Sequence, residues 1–157
     1  MKNFYEHLKI VGTAEKGRGV ISSVFISKGS LVSPANGKII PNDNILPHHM
    51  CLQTNHDEWL CSEGDFTDDY FNHSCNPNIG FLEGSLHYYA LRDIPNGEEL
   101  CWDYSTSLSE KGWTMMCRCG QPDCRKIIRS FFDLPDDIQK RLLPIALDYI
   151  RQSIHNQ

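Results

Sequence analysis

Phe71-Asn72-His73-Ser74-Cys75-Asn76-Pro77-Asn78 is the stretch on which the reading of this 157-residue chain turns. Asn, Ser and Pro crowd it as they crowd turns, because Pro presets φ while Asn and Ser side chains bond their own backbone. A free cysteine ordinarily behaves as a small buried hydrophobe. Cys75 stands in a polar turn instead. Further along, Cys117, Cys119 and Cys124 form Cys-x-Cys-x4-Cys around a Gly120-Gln-Pro-Asp123 turn, a spacing that folds three sulfurs toward one point. A tetrahedral structural zinc needs a fourth ligand. The residues alone leave that ligand open among Cys51, Cys61, Cys75, Cys101 and the histidines.

On either side of the Cys75 turn, short apolar patches alternate with Gly, Pro and Asn. Gly19–Ile26, Leu31-Val32, Gly37–Ile40, Ile79–Leu82 and Leu86–Leu91 have the length and β-branched or aromatic content of short strands. Pro95-Asn96-Gly97 marks a tight turn. After Leu134 the period changes. Apolar residues at 138, 142, 145, 146, 149 and 150 predict an amphipathic helix, with Pro135 in its first turn, acids at 136 and 137 near its positive end, and a kink or break at Pro144.

Forty per cent apolar and 22% charged residues exclude general disorder, and 157 residues suit one domain with a real core. Apolar runs such as Leu142–Leu147 are too short to span a membrane. No N-terminal apolar stretch resembles a signal peptide, and seven cysteines, an odd number, do not read as a disulfide framework. They are expected to stay reduced in an intracellular protein. Fifteen basic against twenty acidic residues give a net charge of −5, the wrong sign for a phosphate-backbone binder, so no direct nucleic-acid binding is expected.

Taken together, Gly17-Arg-Gly-Val20, Phe71–Asn78, Gly97-Glu-Glu-Leu-Cys-Trp-Asp-Tyr104 and Cys117-Arg-Cys-Gly-Gln-Pro-Asp-Cys-Arg125 resemble, in order, the motifs of SET-domain protein lysine methyltransferases with a post-SET zinc segment. The resemblance implies a mostly β fold with short helices, small curved sheets, a knot-like threading of the C-terminal motif, and a closing helix. It implies a SET domain over residues 8–106 with a variable insert at 41–69, a post-SET zinc segment at 113–129 and a helical segment at 134–153. The implied activity is methyl transfer from S-adenosylmethionine to lysine; the alternative is a catalytically weak SET-fold protein-binding module.

Position by position, the resemblance gives Tyr104 the catalytic role and Gly17, Arg18, Gly19, Asn72, His73 and Tyr104 the cofactor. Tyr70 and Trp102 fall to the substrate channel, and one structural zinc to Cys75, Cys117, Cys119 and Cys124. Trp102 stands where relatives carry Phe or Tyr, a position that helps set the number of methyl groups, and Lys126 replaces a common glycine. Asp103, Glu98 and Glu99 are expected to bond backbone or face solvent. The acids of the insert would suit a basic protein such as a histone. His48-His49 lacks a carboxylate or cysteine at ligand spacing, so no second metal is expected there. The implied compartment is the nucleus in a eukaryote, or the cytoplasm or a secreted effector in a prokaryote.

Overall fold

Short strands dominate the computed structural model, which describes residues 6–155. In chain order the strands are β1 (Leu8–Thr13), β2 (Gly17–Ser22), β3 (Leu31–Pro34), β4 (Lys38–Pro41), β5 (Met50–Asn55), β6 (Glu58–Ser62), β7 (Asn72–His73), β8 (Ile79–Gly80), β9 (His87–Ala90), β10 (Cys101–Trp102), β11 (Thr114–Met116) and β12 (Ile127–Arg129). Two helices close the chain, α1 (Asp136–Leu142) and α2 (Asp148–His155). The strands form small separate sheets: β1-β2, β3-β9-β8, β4-β6-β5 and β11-β12, all antiparallel, and the parallel pair β7-β10. The fold is therefore mostly β with short helices.

Local chemistry sets the boundaries. In the β1–β2 turn Thr13 Oγ1 accepts the Lys16 N–H at 3.0 Å and donates to the Gly17 carbonyl at 3.0 Å, and Gly17 takes φ +75°. The strand predicted to reach Ile26 stops at Ser22, whose hydroxyl donates to the Val24 carbonyl at 2.7 Å and turns the chain. Ile26 keeps only an isolated bridge to Ile94. The expected turn at Pro95-Asn96-Gly97 is present, with Gly97 at φ +88° and the Glu98 N–H donating to the Pro95 carbonyl.

Val20, Ile79, Phe81, Ala90, Ile94 and Leu100 form the centre of the main core, joined by Phe71, Tyr88 and Trp102. Each fully buried aliphatic or aromatic side chain contributes about 1.5–3 kcal/mol. A second core joins Phe131 and Leu134 to Leu142, Ala146 and Ile150, the helical stripe expected from the apolar period. Pro144 splits that helix as predicted: a 3-10 turn at Leu143–Ile145 separates α1 from α2. Arg151 pins the break by donating to the Pro144, Ala146 and Phe81 carbonyls at 2.6–2.9 Å. No helix among the described residues is long and apolar enough to cross a membrane.

Candidate active site

The parallel pairing of β7 with β10 sets Asn72 beside Cys101 and His73 beside Trp102. Asn78, at the end of the same turn, accepts the Cys101 N–H on Oδ1 and donates from Nδ2 to Glu98 Oε1 and the Glu99 carbonyl, each at 2.8 Å. Two sequence motifs with eighteen residues between them, Phe71–Asn78 and Gly97–Tyr104, thus become one surface. A third joins through Asn72, whose amide donates to the Arg18 carbonyl at 2.9 Å and to Glu99 Oε1 at 2.8 Å. Gly19 allows this approach. A Cβ there would lie 2.6 Å from Glu99 Oε1 and 2.8 Å from Asn72 Nδ2.

Two clefts open on this surface. The larger, about 340 Å³, includes Asn36, Leu52, Trp59, Phe71, Trp102 and Trp113 in its lining. The smaller, about 160 Å³, is lined by Glu15, Lys16, Asn72, His73, Met116, Arg118, Cys119 and Ile128. Tyr104 and Met115 line both. Tyr104 therefore belongs to the wall between them. Its hydroxyl donates to the Phe71 carbonyl at 3.1 Å, and Trp102 packs on its ring at a centroid distance of 4.8 Å. Burial pushes the phenol well above its ordinary range. At neutral pH it is a hydrogen-bonding group and not a base.

Four sulfurs, those of Cys75, Cys117, Cys119 and Cys124, lie within 4.8 Å of one another. Cys75 Sγ and Cys117 Sγ are 3.7 Å apart, against the edge of about 3.8 Å for a tetrahedron with Zn–S near 2.3 Å. Backbone N–H groups of Arg125 and Lys126 point at the Cys75 and Cys124 sulfurs, each at 3.4 Å. Burial pushes the Cys75 thiol up to about 11 and that of Cys117 higher still, so thiolates here call for a balancing cation. The donor set fits a closed structural zinc site.

His73 connects the sulfurs to the tyrosine. Its Nδ1 accepts the Tyr104 N–H at 3.1 Å, which puts the ring proton on Nε2, 3.4 Å from Cys75 Sγ. Burial lowers its pKa to about 4, so the ring is neutral at pH 7 and its 3.7 Å approach to Asp103 is not an ion pair. Asp103 instead pairs with Arg125. Nη1 meets Oδ2 and Nη2 meets Oδ1, both at 2.8 Å, while Oδ1 also accepts the Ser105 N–H. Asp103 is fully buried, so the expectation of a solvent-facing or backbone-bonding acid holds only for the bond to Ser105.

Other expected site residues take different places. Arg18 lies over the Tyr70 ring at 4.2 Å, and the Tyr70 hydroxyl donates to the Gly64 carbonyl at 2.9 Å; neither residue lines either cleft. Gly17 and Gly19 line neither cleft, whereas Glu15 and Lys16, not among the residues expected at the site, line the smaller one. Lys16 Nζ is 2.6 Å from Glu99 Oε2. Burial alone would lower the lysine pKa, but the Glu99 hydrogen bond holds it above its usual value. Position next to the Gly17 turn was the available signal.

The structure departs from the all-reduced expectation at Cys51 and Cys61, which form a disulfide. The register of β5 against β6 sets them directly opposite, information that spacing in sequence does not carry. Cys101 is free, buried and 3.9 Å from Lys16 Nζ. His48 and His49, expected to lack companions, lie beside Glu63, and His49 also lies beside Cys51 and Cys61.

A SET-domain family profile matches residues 17–105, and the chain belongs to the SET-domain family. Among its relatives is the Drosophila melanogaster "Histone-lysine N-methyltransferase ash1", 31% identical over 135 residues covering 74% of this chain and 6% of the relative. Another is the Fusarium mangiferae "Histone-lysine N-methyltransferase, H3 lysine-9 specific KMT1", 27% identical, covering 77% of this chain and 48% of the relative. The chain thus spans less than half the length of either. Its fold is similar to that of KRYPTONITE in complex with mCHG DNA and SAH, with a TM-score of 0.63 and 25% identity over 77% of this chain and 28% of that one. The methyltransferase domain of human SETMAR shares the fold at a TM-score of 0.59 and 21% identity, over 79% of this chain and 58% of that one.

Proposed function

We propose that this domain transfers a methyl group from S-adenosylmethionine to the side-chain amine of lysine in a basic protein, a histone in the first instance. The observation that carries this reading is the shared wall: Tyr104 lines two clefts, one with the size and apolar lining to take a side chain, the other bearing Lys16 and Arg118. A donor and an acceptor approaching from the two sides would meet at that wall. The SAH in the KRYPTONITE structure, and the H3(1-15) peptide with SAH in a second structure of that protein, support the cosubstrate and the substrate class. The relatives' names as histone-lysine methyltransferases support both, and a nuclear setting with them.

The smaller cleft fits the cosubstrate by its donor set. Lys16 and Arg118 would face its carboxylate or ribose, while Asn72, His73 and Tyr104 would hold it along β7. Gly17, Arg18 and Gly19 would act through the Arg18 carbonyl that orients Asn72. When bound, S-adenosylmethionine supplies an electrophilic methyl on a positive sulfur.

The chain's own residues have three tasks. The apolar lining formed by Trp59, Phe71 and Trp102 disfavours the ammonium form of the incoming lysine. Neutralising a lysine at pH 7 costs about 4.6 kcal/mol from a pKa near 10.4, so this desolvation carries much of the barrier. The Tyr104 hydroxyl, fixed by the Phe71 carbonyl, presents lone pairs that orient the amine N–H groups and leave the nitrogen lone pair aimed across the wall. Trp102, closing one side, limits the space for added methyl groups.

The Cys75, Cys117, Cys119 and Cys124 sulfurs would hold one structural zinc; four thiolates leave no open position for chemistry. We assign residues 8–106 to the SET domain with its insert at 41–69, residues 113–129 to the zinc segment and residues 134–153 to a closing helical segment. The deciding test is a radiolabelled transfer assay on core histones and other basic proteins, with mass spectrometry of the product. Label on lysine supports the reading. Absence of both label and S-adenosylmethionine binding at high micromolar concentration overturns it.

A further inference from the structure

Among the described residues, one further cluster of metal-ligating side chains has no part in the reading above. His49, Cys51 and Cys61 offer ligand atoms within 4.8 Å of one another, and His48, His49 and Glu63 form an overlapping group by the same measure. They come from the end of β6, the start of β5 and the loop before it. We propose that these residues form a second zinc site that exchanges with the Cys51–Cys61 disulfide. Cys51, Cys61 and His49 would be its ligands, and His48 or Glu63 would supply the fourth position.

The chemistry of the donors argues for zinc. Two thiolates, an imidazole and one further nitrogen or oxygen match the borderline-soft preference of Zn²⁺ and its four-coordinate geometry. The register holds the sulfurs opposite each other on paired strands, so small side-chain rotations open them from disulfide contact to a tetrahedral edge of about 3.8 Å. His49 is the hinge of the two groups and is half-buried. Its Nδ1 accepts the Leu46 N–H at 3.1 Å, and metal ligation by either ring nitrogen exchanges that bond for a coordinate one. His48 Nε2 and Glu63 Oε1 are 4.0 Å apart and exposed, so either can swing to the metal without breaking the core.

The exchange balances as written. A dithiol gives two electrons and two protons to the Cys51–Cys61 bond, leaving as its own disulfide and releasing two thiols. Zn²⁺ then displaces the two thiol protons as the S–Zn bonds form. In the reverse direction a low-molecular-weight disulfide accepts two electrons from the zinc-bound thiolates and leaves as two thiolates, while the Cys51–Cys61 bond re-forms and Zn²⁺ departs. Because His49 and Cys51 also line the larger cleft, the state of this site changes the wall facing Trp102 and Tyr104.

Metal content of the whole chain tests the site independently of methyl transfer and of the other cysteine cluster. The chain is first loaded with Zn²⁺, which would shield Cys75, Cys117, Cys119 and Cys124; it is then either kept with its Cys51–Cys61 disulfide or reduced with dithiothreitol and desalted anaerobically, and saturated with Zn²⁺ or with Co²⁺ as the spectroscopic probe. The reduced chain should retain one more equivalent than the oxidised chain, with added thiolate-to-cobalt absorption. Reduced Cys51→Ser should lose that equivalent. His49→Ala, which keeps both cysteines, should bind it at least tenfold more weakly and keeps the test valid if the serine variant does not fold. Equal metal content in oxidised and reduced wild-type chains, or unchanged affinity in His49→Ala, overturns the proposal.

Discussion

Replacing Arg125 by Ala would leave the Asp103 carboxylate buried without its ion pair and with one hydrogen bond in place of two. In the native domain both carboxylate oxygens meet guanidinium nitrogens at 2.8 Å, Asp103 has no exposed side-chain surface, and Arg125 has 12%. Solvent screening is therefore weak, and breaking one partner of a buried pair costs about 3–5 kcal/mol. The Ser105 N–H would still bond Oδ1, which places the expected loss toward the lower end. With a urea slope of about 2 kcal/mol/M, the unfolding midpoint should fall by about 1.5–2 M. The assay is equilibrium urea unfolding of zinc-saturated protein. Arg125 also donates its backbone N–H to Cys75, which the substitution leaves in place. A cycle through Asp103→Leu and the double variant with Arg125→Met should show a coupling of at least about 2 kcal/mol, with the double variant recovering much of the loss. A midpoint shift below about 0.5 M, or additive losses in the cycle, would refute the argument that this pair ties the zinc segment to the tyrosine.

Tyr104→Phe should lower methyl transfer by about 100-fold or more while calorimetry still detects S-adenosylmethionine, as expected when one oriented hydroxyl is removed; wild-type turnover would sink the assignment. Lys126 is the only non-glycine among the described residues with positive φ, at +65°, so Lys126→Gly should raise thermal stability by about 1 kcal/mol, read as an upward shift in Tm. Gly19→Ala would drive a methyl into Glu99 and Asn72 and should destabilise the domain by about 1–3 kcal/mol while weakening cofactor binding. Stripping metal from oxidised protein with a chelator should release about one equivalent and lower the Tm sharply, and re-addition of Zn²⁺ should restore it.

Much of the site was legible because its motifs carry unusual residues at fixed offsets. The Cys75 turn and the Cys117–Cys124 spacing pointed to one sulfur cluster, and the resemblance supplied the grouping of four sulfurs that the fold holds within 4.8 Å of one another. The closing helix was legible from its apolar period, and its break from Pro144, since a ring nitrogen has no proton to give. What stayed hidden depends on register and burial. The disulfide follows from Cys51 facing Cys61 across a hairpin whose pairing no composition rule fixes. Asp103 and Arg125 are ordinary surface types until the fold buries them together. Lys126, where the resemblance leads one to expect a glycine, takes a left-handed backbone that only the fold reveals.

The two hydrogen bonds of His73 would give the proposed zinc segment a voice in the proposed methyl transfer that does not require unfolding. The imidazole ring lies between a sulfur and the backbone amide of the tyrosine, and its one proton resides on Nε2, facing the sulfur, because Nδ1 accepts from that amide. A metal-bound thiolate at Cys75 rewards the arrangement. A protonated thiol, with a hydrogen of its own to offer, rewards the other tautomer, in which Nδ1 turns from acceptor to donor and repels the Tyr104 N–H. Metal occupancy would thus be transmitted to the tyrosine as the choice of nitrogen made by a single proton.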